Sequence, residues 1–489
     1  MNELKVKDLI KCTEGKLILG KEEEICDDFS KDTRTIKDGD IYIGIKGQNF
    51  DGNTMWEKAL ENGAKGVIVQ GINFSEENLE KWKEKIIIKV EDSLEALYKI
   101  AEYKRSLYNI PVIGITGSVG KTSTKDIVAN VVSQKYNTLK TQGNYNNNIG
   151  VPFTILNLKD HEATVIEMGM NHLREISLLT KIAKPTISII TNIGTSHIGN
   201  LGSRENILKA KLEILEGMEK PILVINNDND LLSKWGKENK DNIEIHTYGI
   251  EEKSEVNAKE IIESTDSSEF VCEINNKKIK IHVPVGGIHF VYNAICAVTV
   301  ANLLGIEKEK IKNGIETFEL TKKRMDIIEL ESGVKLIDDS YNASLESMQV
   351  ALKHLSQYRE SRKIAVLGDM LELGDFAKEL HEEVGKKVIE NNIDILFCCG
   401  ENAKYIANKA QEQGMKNVFY FTNKEEMQNK LKDTIEAKDV ILFKASNGMK
   451  FSSIIEFLKD TRFLKNLWYN TFTNFWEDVK CYSRIIIKY

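Results

Sequence analysis

The sequence predicts an α/β protein of three domains. Apolar runs such as "VIGIT", "ATVIEMG" and "KIAVLGD" alternate with helical patterns along most of the chain. Such runs are typical of strands buried on both faces of a parallel sheet, and their alternation with helices predicts doubly wound domains. With 489 residues, the chain is also too long to fold around one hydrophobic core.

Three blocks of the chain differ in pattern. Residues 1–107 mix short strands with a helix, "MWEKALENGAKG", and predict a small mixed α/β domain. Residues 108–318 alternate strand and helix and predict a central parallel-sheet domain. Residues 319–460 do the same from "KLIDD" to "DVILFKAS" and predict a second doubly wound domain. In such domains we expect ligands at the carboxyl ends of the strands.

Composition excludes several classes of protein. Hydrophobic residues make up 41% and charged residues 29% of the chain, as in a soluble globular protein. The formal net charge of -7 argues against a nucleic-acid partner. Seven cysteines without a CxxC pair predict reduced thiols. Since no stretch resembles a signal peptide or approaches the ~20 apolar residues of a membrane span, we expect a cytoplasmic protein.

The segment "VIGITGSVGKTSTKD" (112–126) predicts a strand, a Gly-rich turn and the start of a helix. Glycines let backbone N–H groups approach phosphate oxygens, and the helix N-terminus adds positive potential. The lysine can reach the β- and γ-phosphates, and the threonine hydroxyl suits Mg²⁺. The spacing is GxxGKT rather than GxxxxGKT, and the alternative is an ordinary turn. The flanking strand and helix favour phosphate binding by Gly117, Ser118, Val119, Gly120, Lys121, Thr122 and Ser123.

Polar residues follow the later strands of the central block. Glu167 comes just after an apolar strand, where a carboxylate can reach the Mg²⁺ of a bound nucleotide. His197 follows the next strand, and Lys211 lies in a helical pattern. Taken singly, a structural histidine, a solvated lysine and a polar loop at "GNYNNNIGVP" are the simpler interpretations. Their order after a phosphate loop is what makes them informative.

That order resembles the Mur ligases. The segments that carry the resemblance span about 30 to 460 and are "TGSVGKTSTKD", "GNYNNNIGVP", "VIEMGMNH", "TNIGTSHI", "KAKLEI", "HFVYNA", "DDSYNAS" and "GDMLELG". In this family ATP phosphorylates a substrate carboxylate, and an amine then attacks the acyl phosphate to give an amide, ADP and phosphate. The resemblance implies a UDP-sugar-binding first domain, a P-loop ATPase-like central domain and a Rossmann-like C-terminal domain.

The resemblance also implies the substrates. "DTRTIKDGDIYIGIKGQNFDGN" and "GDMLELGDFAKELHEEVG" resemble the branch of the family that adds D-alanyl-D-alanine to UDP-N-acetylmuramoyl-tripeptide in peptidoglycan precursor synthesis. It implies that the UDP-sugar is held by Thr33, Arg34, Gly47, Asn49 and Asp51. Further substrate contacts are implied for Asn144, Asn147, Tyr341 and Asn342.

The implied cofactors are ATP and two Mg²⁺ ions. Thr122 and Glu167 match the family's magnesium positions, and His197 matches its second metal position. Lys211 matches a lysine that is carbamoylated in the family, which turns a cation into an anion able to hold that metal. ATP contacts are implied for Asn293, Arg324 and Asp339, and catalytic roles for Lys121, His197 and Lys211.

Several segments depart from the family pattern, among them "LREI" (173–176), where "GEI" is usual after "GMNH". "KASNGM" stands where "KGSRGM" is usual, so Ala445 adds a Cβ and Asn447 removes a cation. Gly199 stands where a Glu is common, and Leu345 where a Pro is usual. The alternatives are therefore a Mur-type ligase with another acceptor, such as a folylpolyglutamate-synthase-like protein, or a catalytically weak nucleotide-binding paralogue that acts as a scaffold. The UDP-sugar loops argue against the folate enzyme, and the intact Lys121 and its downstream partners argue against the scaffold.

The last segment, 461–489, lies outside the resemblance. Its apolar residues recur at helical spacing and include Trp468 and Trp476, which predicts an amphipathic aromatic helix. We expect this tail to pack on the third domain, and the alternative is a contact with a membrane surface or a partner. The expected assembly is a monomer.

Overall fold

The computed structural model describes residues 3–274 and 277–459, and it confirms the predicted α/β class. The predicted tail helix of 461–489 lies outside the described residues. The domain limits at 107/108 and 318/319 stay predictions. Within 3–274 and 277–459, the structure contains no helix that is both long and apolar enough to span a bilayer.

The first part of the chain forms a five-stranded sheet. Its elements are α1 (Val6–Thr13), β1 (Lys16–Leu19), β2 (Phe29–Ser30), β3 (Ile41–Ile43), α2 (Trp56–Glu61), β4 (Gly66–Gln70), α3 (Glu76–Lys81), β5 (Ile86–Val90) and α4 (Ser93–Ser106). The strand order is β1-β5-β4-β3-β2, and β1 alone is antiparallel to its neighbour. The mixed sheet agrees with the predicted mixed α/β pattern.

The central part forms a seven-stranded sheet in which every pairing is parallel. Its strand order is β12-β11-β10-β9-β6-β8-β7. The elements are β6 (Val112–Thr116), α5 (Lys121–Val132), β7 (Thr138–Lys140), α6 (Gly150–Leu156), β8 (Ala163–Glu167), α7 (Glu175–Ala183), β9 (Ile187–Ile190), α8 (Ile198–Leu201), α9 (Arg204–Leu212), β10 (Ile222–Asn226), α10 (Asp230–Asn239), β11 (Glu244–Gly249) and β12 (Val256–Asn257).

A small antiparallel sheet follows, which was not predicted from the sequence. It is built from β13 (Lys259–Glu263), β14 (Ser268–Ile274) and β15 (Lys277–Val283), and α11 (Ile288–Leu303) and α12 (Lys308–Glu316) come after it. The strand β15, "KKIKIHV", alternates exposed lysines with buried apolar residues. This alternation is typical of an antiparallel sheet with one solvated face.

The third part forms a six-stranded sheet of order β16-β17-β21-β18-β19-β20, in which only the β16–β17 pairing is antiparallel. The elements are β16 (Asp326–Glu329), β17 (Lys335–Asp338), α13 (Leu345–Leu355), β18 (Lys363–Gly368), α14 (Ala377–Glu390), β19 (Ile395–Cys399), α15 (Ala403–Glu412), β20 (Val418–Phe421), α16 (Lys424–Thr434), β21 (Val440–Lys444) and α17 (Ser452–Lys459).

The order of the central strands positions the phosphate loop. All five residues of β6 are buried, and β6 lies between β8 and β9. Ile115 of β6 is paired with Glu167 of β8, and Thr116 is paired with Ile190 of β9. Because the strands are parallel, their carboxyl ends meet at one edge, and the loops after all three strands lie side by side there.

Candidate active site

The two glycines of the phosphate loop fill different geometric needs. Gly120 precedes α5 with a φ of 80°, a left-handed conformation that glycine adopts without steric cost. A Cβ on Gly117 would lie 1.8 Å from Oγ1 of Thr191, which follows β9. The close approach of Thr191 therefore requires glycine at position 117, whereas the left-handed backbone at position 120 favours glycine.

Lys121, the first residue of α5, folds back over this loop. Its Nζ donates hydrogen bonds to the carbonyl oxygens of Gly117, at 2.8 Å, and Ser118, at 3.4 Å. Burial lowers the pKa of Lys121, the charge of Glu167 opposes that shift, and the charge of Arg324 adds to it. The ammonium is thus held at the mouth of the turn, where a phosphate oxygen can replace a carbonyl oxygen.

The loop after β9 fixes the phosphate loop from the other side. The side chain of Asn192 accepts a hydrogen bond from the Val119 N–H and donates one to the Val119 carbonyl, both at 3.0 Å. The Gly194 N–H donates to Oγ of Ser118 at 2.9 Å. No role is predicted for Asn192 from the sequence, although Asn192 follows an apolar strand as the other polar residues of this edge do.

Glu167 ends β8 and is 1% exposed. Its Oε1 accepts a 2.7 Å hydrogen bond from Nδ2 of Asn146, whereas its buried Oε2 has no hydrogen-bond partner among the described residues. A buried polar atom without a partner destabilises the folded protein by roughly 1–3 kcal/mol. The unpartnered carboxylate oxygen, in the wall of the cavity that Thr122 also lines, therefore fits a cation such as Mg²⁺.

Arg324 connects the third domain to this loop. Its Nη2 donates a 2.8 Å hydrogen bond to Oγ1 of Thr122, and its guanidinium carbon lies 4.2 Å from the ring centroid of Tyr341. Its Nε is buried without a hydrogen-bond partner among the described residues. Stacking on an aromatic ring holds a guanidinium in place and leaves its N–H groups free to bind anions.

Asp339 lies on the same side of the cavity and pairs with Lys444, which is 2% exposed. The Lys444 Nζ is 2.5 Å from Oδ2 of Asp339 and donates a 3.1 Å hydrogen bond to the Asn342 carbonyl. The neighbouring Ala445 is fully buried, and Gly368 lies opposite it: a Cβ on Gly368 would be 2.7 Å from the Ala445 Cβ. The absence of a Cβ on Gly368 accommodates the extra methyl group of "KASNGM".

Lys211 lies in α9 and is 1% exposed. Burial lowers the pKa of Lys211 well below its ordinary 10.5, and the charge of Lys121 lowers it further. Among the described residues, none forms a hydrogen bond or ion pair with its ammonium group. A solvated lysine, the simpler interpretation of the sequence, is therefore wrong for this residue.

His197 precedes α8 with a left-handed φ of 65°. Its Nδ1 lies 2.5 Å from Oε2 of Glu372, a residue of the third domain. This contact was not predicted, because the two residues are 175 positions apart and nothing in the sequence connects them.

A cavity of about 870 Å³ between the central and third domains collects most of the predicted site residues. Its lining residues that were not predicted include the charged Glu346, Lys444 and Arg174. The predicted residues in its wall are Ser118, Val119, Gly120, Lys121, Thr122, Ser123, Asn147, Glu167, His197, Asn293, Arg324, Asp339, Tyr341 and Asn342. Their individual roles stay predictions.

Other predicted residues lie outside this wall. Gly117 and Lys211 are buried and do not line the cavity, and Asn144, which also does not line it, is exposed. The predicted UDP-sugar residues lie in loops of the first part of the chain, where Arg34 is 85% exposed and pairs with Asp32 at 2.6 Å. The other four, which also do not line the cavity, are Thr33, Gly47, Asn49 and Asp51.

The fold and this site define an ATP-dependent ligase in which a phosphate-loop domain faces a second α/β domain. Three family models match successive parts of the chain: "Mur ligase family, catalytic domain" at 30–105, "Mur ligase middle domain" at 115–301, and "Mur ligase, glutamate ligase domain" at 323–447. The chain belongs to the Mur ligase family, and the resemblance found in the sequence is confirmed.

Individual relatives cover most of the chain. The UDP-N-acetylmuramoyl-tripeptide–D-alanyl-D-alanine ligase of Bacillus subtilis is 35% identical over 92% of this chain and 97% of its own length. The ligase of the same name from Synechocystis is 36% identical over 87% and 90%. MurF from Acinetobacter baumannii superposes with a TM-score of 0.84 at 28% identity, over 94% of this chain and 99% of that chain.

A second solved structure is that of the MurF ligase from Thermotoga maritima in complex with ADP. It superposes with a TM-score of 0.77 at 28% identity and covers 90% of this chain and 98% of that chain. The likeness therefore extends over all three predicted domains rather than over the phosphate loop alone.

Proposed function

We propose that this chain joins D-alanyl-D-alanine to UDP-N-acetylmuramoyl-tripeptide at the expense of ATP, in the cytoplasm and as a monomer. The observation that carries the proposal is the single cavity in which the phosphate loop of the central domain faces Arg324, Asp339 and Lys444 of the third domain. The relatives that bear the name of this reaction, which are matched over 97% and 90% of their own lengths, support the choice of substrates.

The chemistry follows from the poor reactivity of a carboxylate. In the first step a carboxylate oxygen of the tripeptide attacks the γ-phosphorus, ADP leaves, and an acyl phosphate forms. In the second step the dipeptide amine attacks the carbonyl carbon, the C–N bond forms, and phosphate leaves while the amine loses a proton. Splitting one hard step into two easier ones is the gain of covalent activation.

The protein's share is positioning and charge neutralisation, which dominate phosphoryl transfer. Lys121 and the N-terminus of α5 neutralise the phosphate tail, and Arg324 is placed to add a second cation. Oδ1 of Asn293 accepts a 3.0 Å hydrogen bond from the Thr124 hydroxyl. Its Nδ2 is buried without a partner among the described residues, so Asn293 has an N–H that can bind adenine.

Thr122 and Glu167 would hold one Mg²⁺, and His197 with a modified Lys211 would hold a second. Within the part of the chain described, no three His, Cys, Asp or Glu side chains cluster closely enough to hold a metal alone. That fits Mg²⁺, which binds through one or two carboxylates together with substrate phosphates. When bound, the ions would screen the repulsion between the carboxylate and the ATP phosphates.

Burial lowers the pKa of Lys211 and thereby favours its carbamoylation. A carbamate forms when a neutral amine attacks CO₂ and loses a proton, and the lowered pKa of Lys211 favours that neutral amine. The product is an anion, which a site next to the Lys121 ammonium stabilises. Burial therefore supports the neutral amine that reacts with CO₂, and the charge of Lys121 supports the anionic product.

The test is to trap the intermediate. With ATP and UDP-N-acetylmuramoyl-tripeptide but no dipeptide, hydroxylamine should convert the acyl phosphate into a hydroxamate of the tripeptide. Addition of D-alanyl-D-alanine should then compete with hydroxylamine and yield the amide. A hydroxamate that forms only from the dipeptide would show that donor and acceptor are reversed, and a failure to form any with this tripeptide would favour a Mur-type ligase with other substrates.

The remaining assignments belong to the same proposal. Thr33, Arg34, Gly47, Asn49 and Asp51 would bind the UDP-sugar. Further substrate contacts would come from Asn144, Asn147, Tyr341 and Asn342. Arg34 supports this role, since an exposed guanidinium can exchange Asp32 for a diphosphate.

A further inference from the structure

The loop 194–199 contacts both the phosphate loop and the third domain. It follows β9, carries His197 and ends at Gly199 in α8. On one side, the Gly194 N–H donates a 2.9 Å hydrogen bond to Oγ of Ser118. The Ser196 hydroxyl donates a 3.3 Å hydrogen bond to the Ser118 carbonyl. The loop 194–199 is therefore in direct contact with a residue of the phosphate loop.

On its other side, the loop is held by Glu346 from the first turn of α13. Oε1 of Glu346 accepts a 2.7 Å hydrogen bond from the Thr195 N–H, and Oε2 accepts one of 3.2 Å from the Thr195 hydroxyl. A Cβ on Gly194 would lie 2.6 Å from Cδ of Glu346. The bidentate contact thus depends on glycine at position 194.

A second carboxylate, that of Glu372, reaches the same loop four residues after the end of β18. Its contact with Nδ1 of His197 leaves Nε2 as the ring nitrogen available to another ligand. Carboxylates that bind one nitrogen of a metal-binding histidine fix the orientation of its ring, and their loss typically costs about 10–100-fold in metal affinity or activity.

The main chains also meet at this point. The Gly199 N–H donates a 3.1 Å hydrogen bond to the Glu372 carbonyl. A Cβ on Gly199 would lie 2.5 Å from the Gly374 nitrogen and 2.6 Å from the Glu372 oxygen. The glycine that replaces the usual Glu of the family is therefore what allows the loop 372–374 to approach α8 this closely.

We infer that Glu346 and Glu372 are positioning residues, which set the loop 194–199 and orient His197 only while the third domain is docked. An isolated surface ion pair contributes only about 0–1 kcal/mol to stability, so the His197–Glu372 contact alone would carry little weight. Two carboxylates from separate segments converge on six residues, and at both ends of the loop a glycine permits the approach. Docking of the third domain thereby completes the side of the cavity that faces the phosphates.

The decisive measurement is the position of the ¹⁵N resonances of the His197 ring in the protein without ligands. With ¹⁵N-labelled imidazoles, the His197 resonances can be assigned among the eight histidines by comparison with His197→Asn. Glu372→Ala and Gly199→Ala should both shift these resonances, while Glu372→Gln, whose amide oxygen can still accept a hydrogen bond, should shift them less. Asp375→Asn changes an exposed carboxylate of the same segment and should leave them unchanged.

The scattering-derived radius of gyration should rise in a Glu346→Ala/Glu372→Ala double variant.

Catalysis provides the second readout, and it rests on the proposed function. Glu372→Ala should lower kcat on the order of 10-fold with little change in the KM for ATP, and Glu372→Gln should recover part of the loss. His197 resonances that stay in place in Glu372→Ala, or a radius of gyration that stays constant in the double variant, would overturn the inference whatever the substrate. If the His197 resonances shift in Glu372→Ala but the parent protein does not ligate the substrates, the proposed function is refuted and the inference stands.

Discussion

Arg324 donates a 2.8 Å hydrogen bond to the hydroxyl of Thr122, so a residue just before β16 reaches the first turn of the phosphate-loop helix. In the proposed reaction the same hydroxyl binds Mg²⁺. Arg324 must then give up this contact. Its Nε is buried without a hydrogen-bond partner among the described residues, so part of its hydrogen-bonding capacity is unused. Its stacking on Tyr341 can persist while its N–H groups turn to the phosphates.

We therefore expect Arg324→Met to weaken ATP binding roughly 10-fold, because a hydrogen bond to a charged group contributes about 1.5–3 kcal/mol. Methionine keeps much of the side-chain stem, so the fold should remain intact. Calorimetric titration with a non-hydrolysable ATP analogue measures the effect. Arg359→Met, which changes an exposed arginine of the third domain, is the control, and equal affinities in the two variants would contradict the role of Arg324.

Lys121→Ala should abolish most turnover and leave the melting temperature within a few degrees of the parent. The side chain contributes two hydrogen bonds to loop carbonyls but a full charge to the bound phosphates. Phosphate release from ATP in the presence of both substrates reports turnover, and calorimetry reports stability. Ligation at the parental rate would show that this loop is not the ATP site.

For Lys211 the sign of the charge is decisive. Lys211→Ala should be nearly inactive, and Lys211→Glu should regain some activity because it restores an anion at the position of the proposed carbamate. Bicarbonate should stimulate the parent protein after decarboxylation at low pH, but neither variant. Full activity of Lys211→Ala would rule out the metal-holding role.

Most of the fold could be predicted because its strands are continuous apolar runs. β6, β8 and β9 are buried along their whole lengths, and sequences of that kind leave few alternatives to a parallel sheet. The small antiparallel sheet was missed because β13 and β15 are rich in lysine and glutamate, so their alternation is hidden in a polar stretch. α13 still begins at Leu345, where proline is usual in the family, because Ser344 caps it.

The site was predictable where it depends on local geometry and not where it depends on contacts between domains. A phosphate loop needs one turn, so a few consecutive residues identify it. The contacts of Glu346 with Thr195 and of Glu372 with His197 join residues 151 and 175 positions apart, and periodicity says nothing about such pairs. The departure at Gly199 was the one local signal that a main chain approaches α8.

The buried carboxylate of Asp126 provides a prediction of pH dependence. It lies in α5 and contacts Lys125, Lys140 and Thr321, the last with a 2.7 Å hydrogen bond from the hydroxyl. Burial raises its pKa, but the two lysine charges and the Thr321 hydrogen bond outweigh burial and hold the pKa below its ordinary 3.8. Because the folded-state pKa is depressed, the charged form stabilises the protein above the unfolded pKa of about 3.9, and this stability is lost as pH falls through the folded value.

Asp126→Asn should accordingly unfold more easily than the parent at neutral pH, by about 3 kcal/mol, since it leaves buried Lys125 without its ion-pair partner. The difference should shrink as the pH falls below about 4. Urea unfolding across this range measures it, with the exposed Asp241→Asn as control. A difference that stays constant with pH would mean that the carboxylate charge contributes nothing.

The last prediction concerns Gly117, where an added Cβ would lie 1.8 Å from Oγ1 of Thr191. Gly117→Ala should destabilise the protein by about 2–3 kcal/mol, because either the loop or β9 must move. Gly39→Ala is a matched control: Gly39 also has a positive φ, of 96°, but an added Cβ would have nothing within 4 Å. It should show only the cost of the backbone conformation.

A double-mutant cycle then isolates the clash with Thr191. Thr191→Ala removes Oγ1 together with its 2.7 Å hydrogen bond to the Val119 carbonyl, so by itself it should destabilise the protein slightly. In the Gly117→Ala/Thr191→Ala protein the new methyl group gains the space of the lost hydroxyl, and the double variant should be more stable than the sum of the single changes. Urea unfolding of the four proteins gives the coupling energy. Strict additivity would show that the loop yields to the new methyl group and that Thr191 does not hold Gly117 in place.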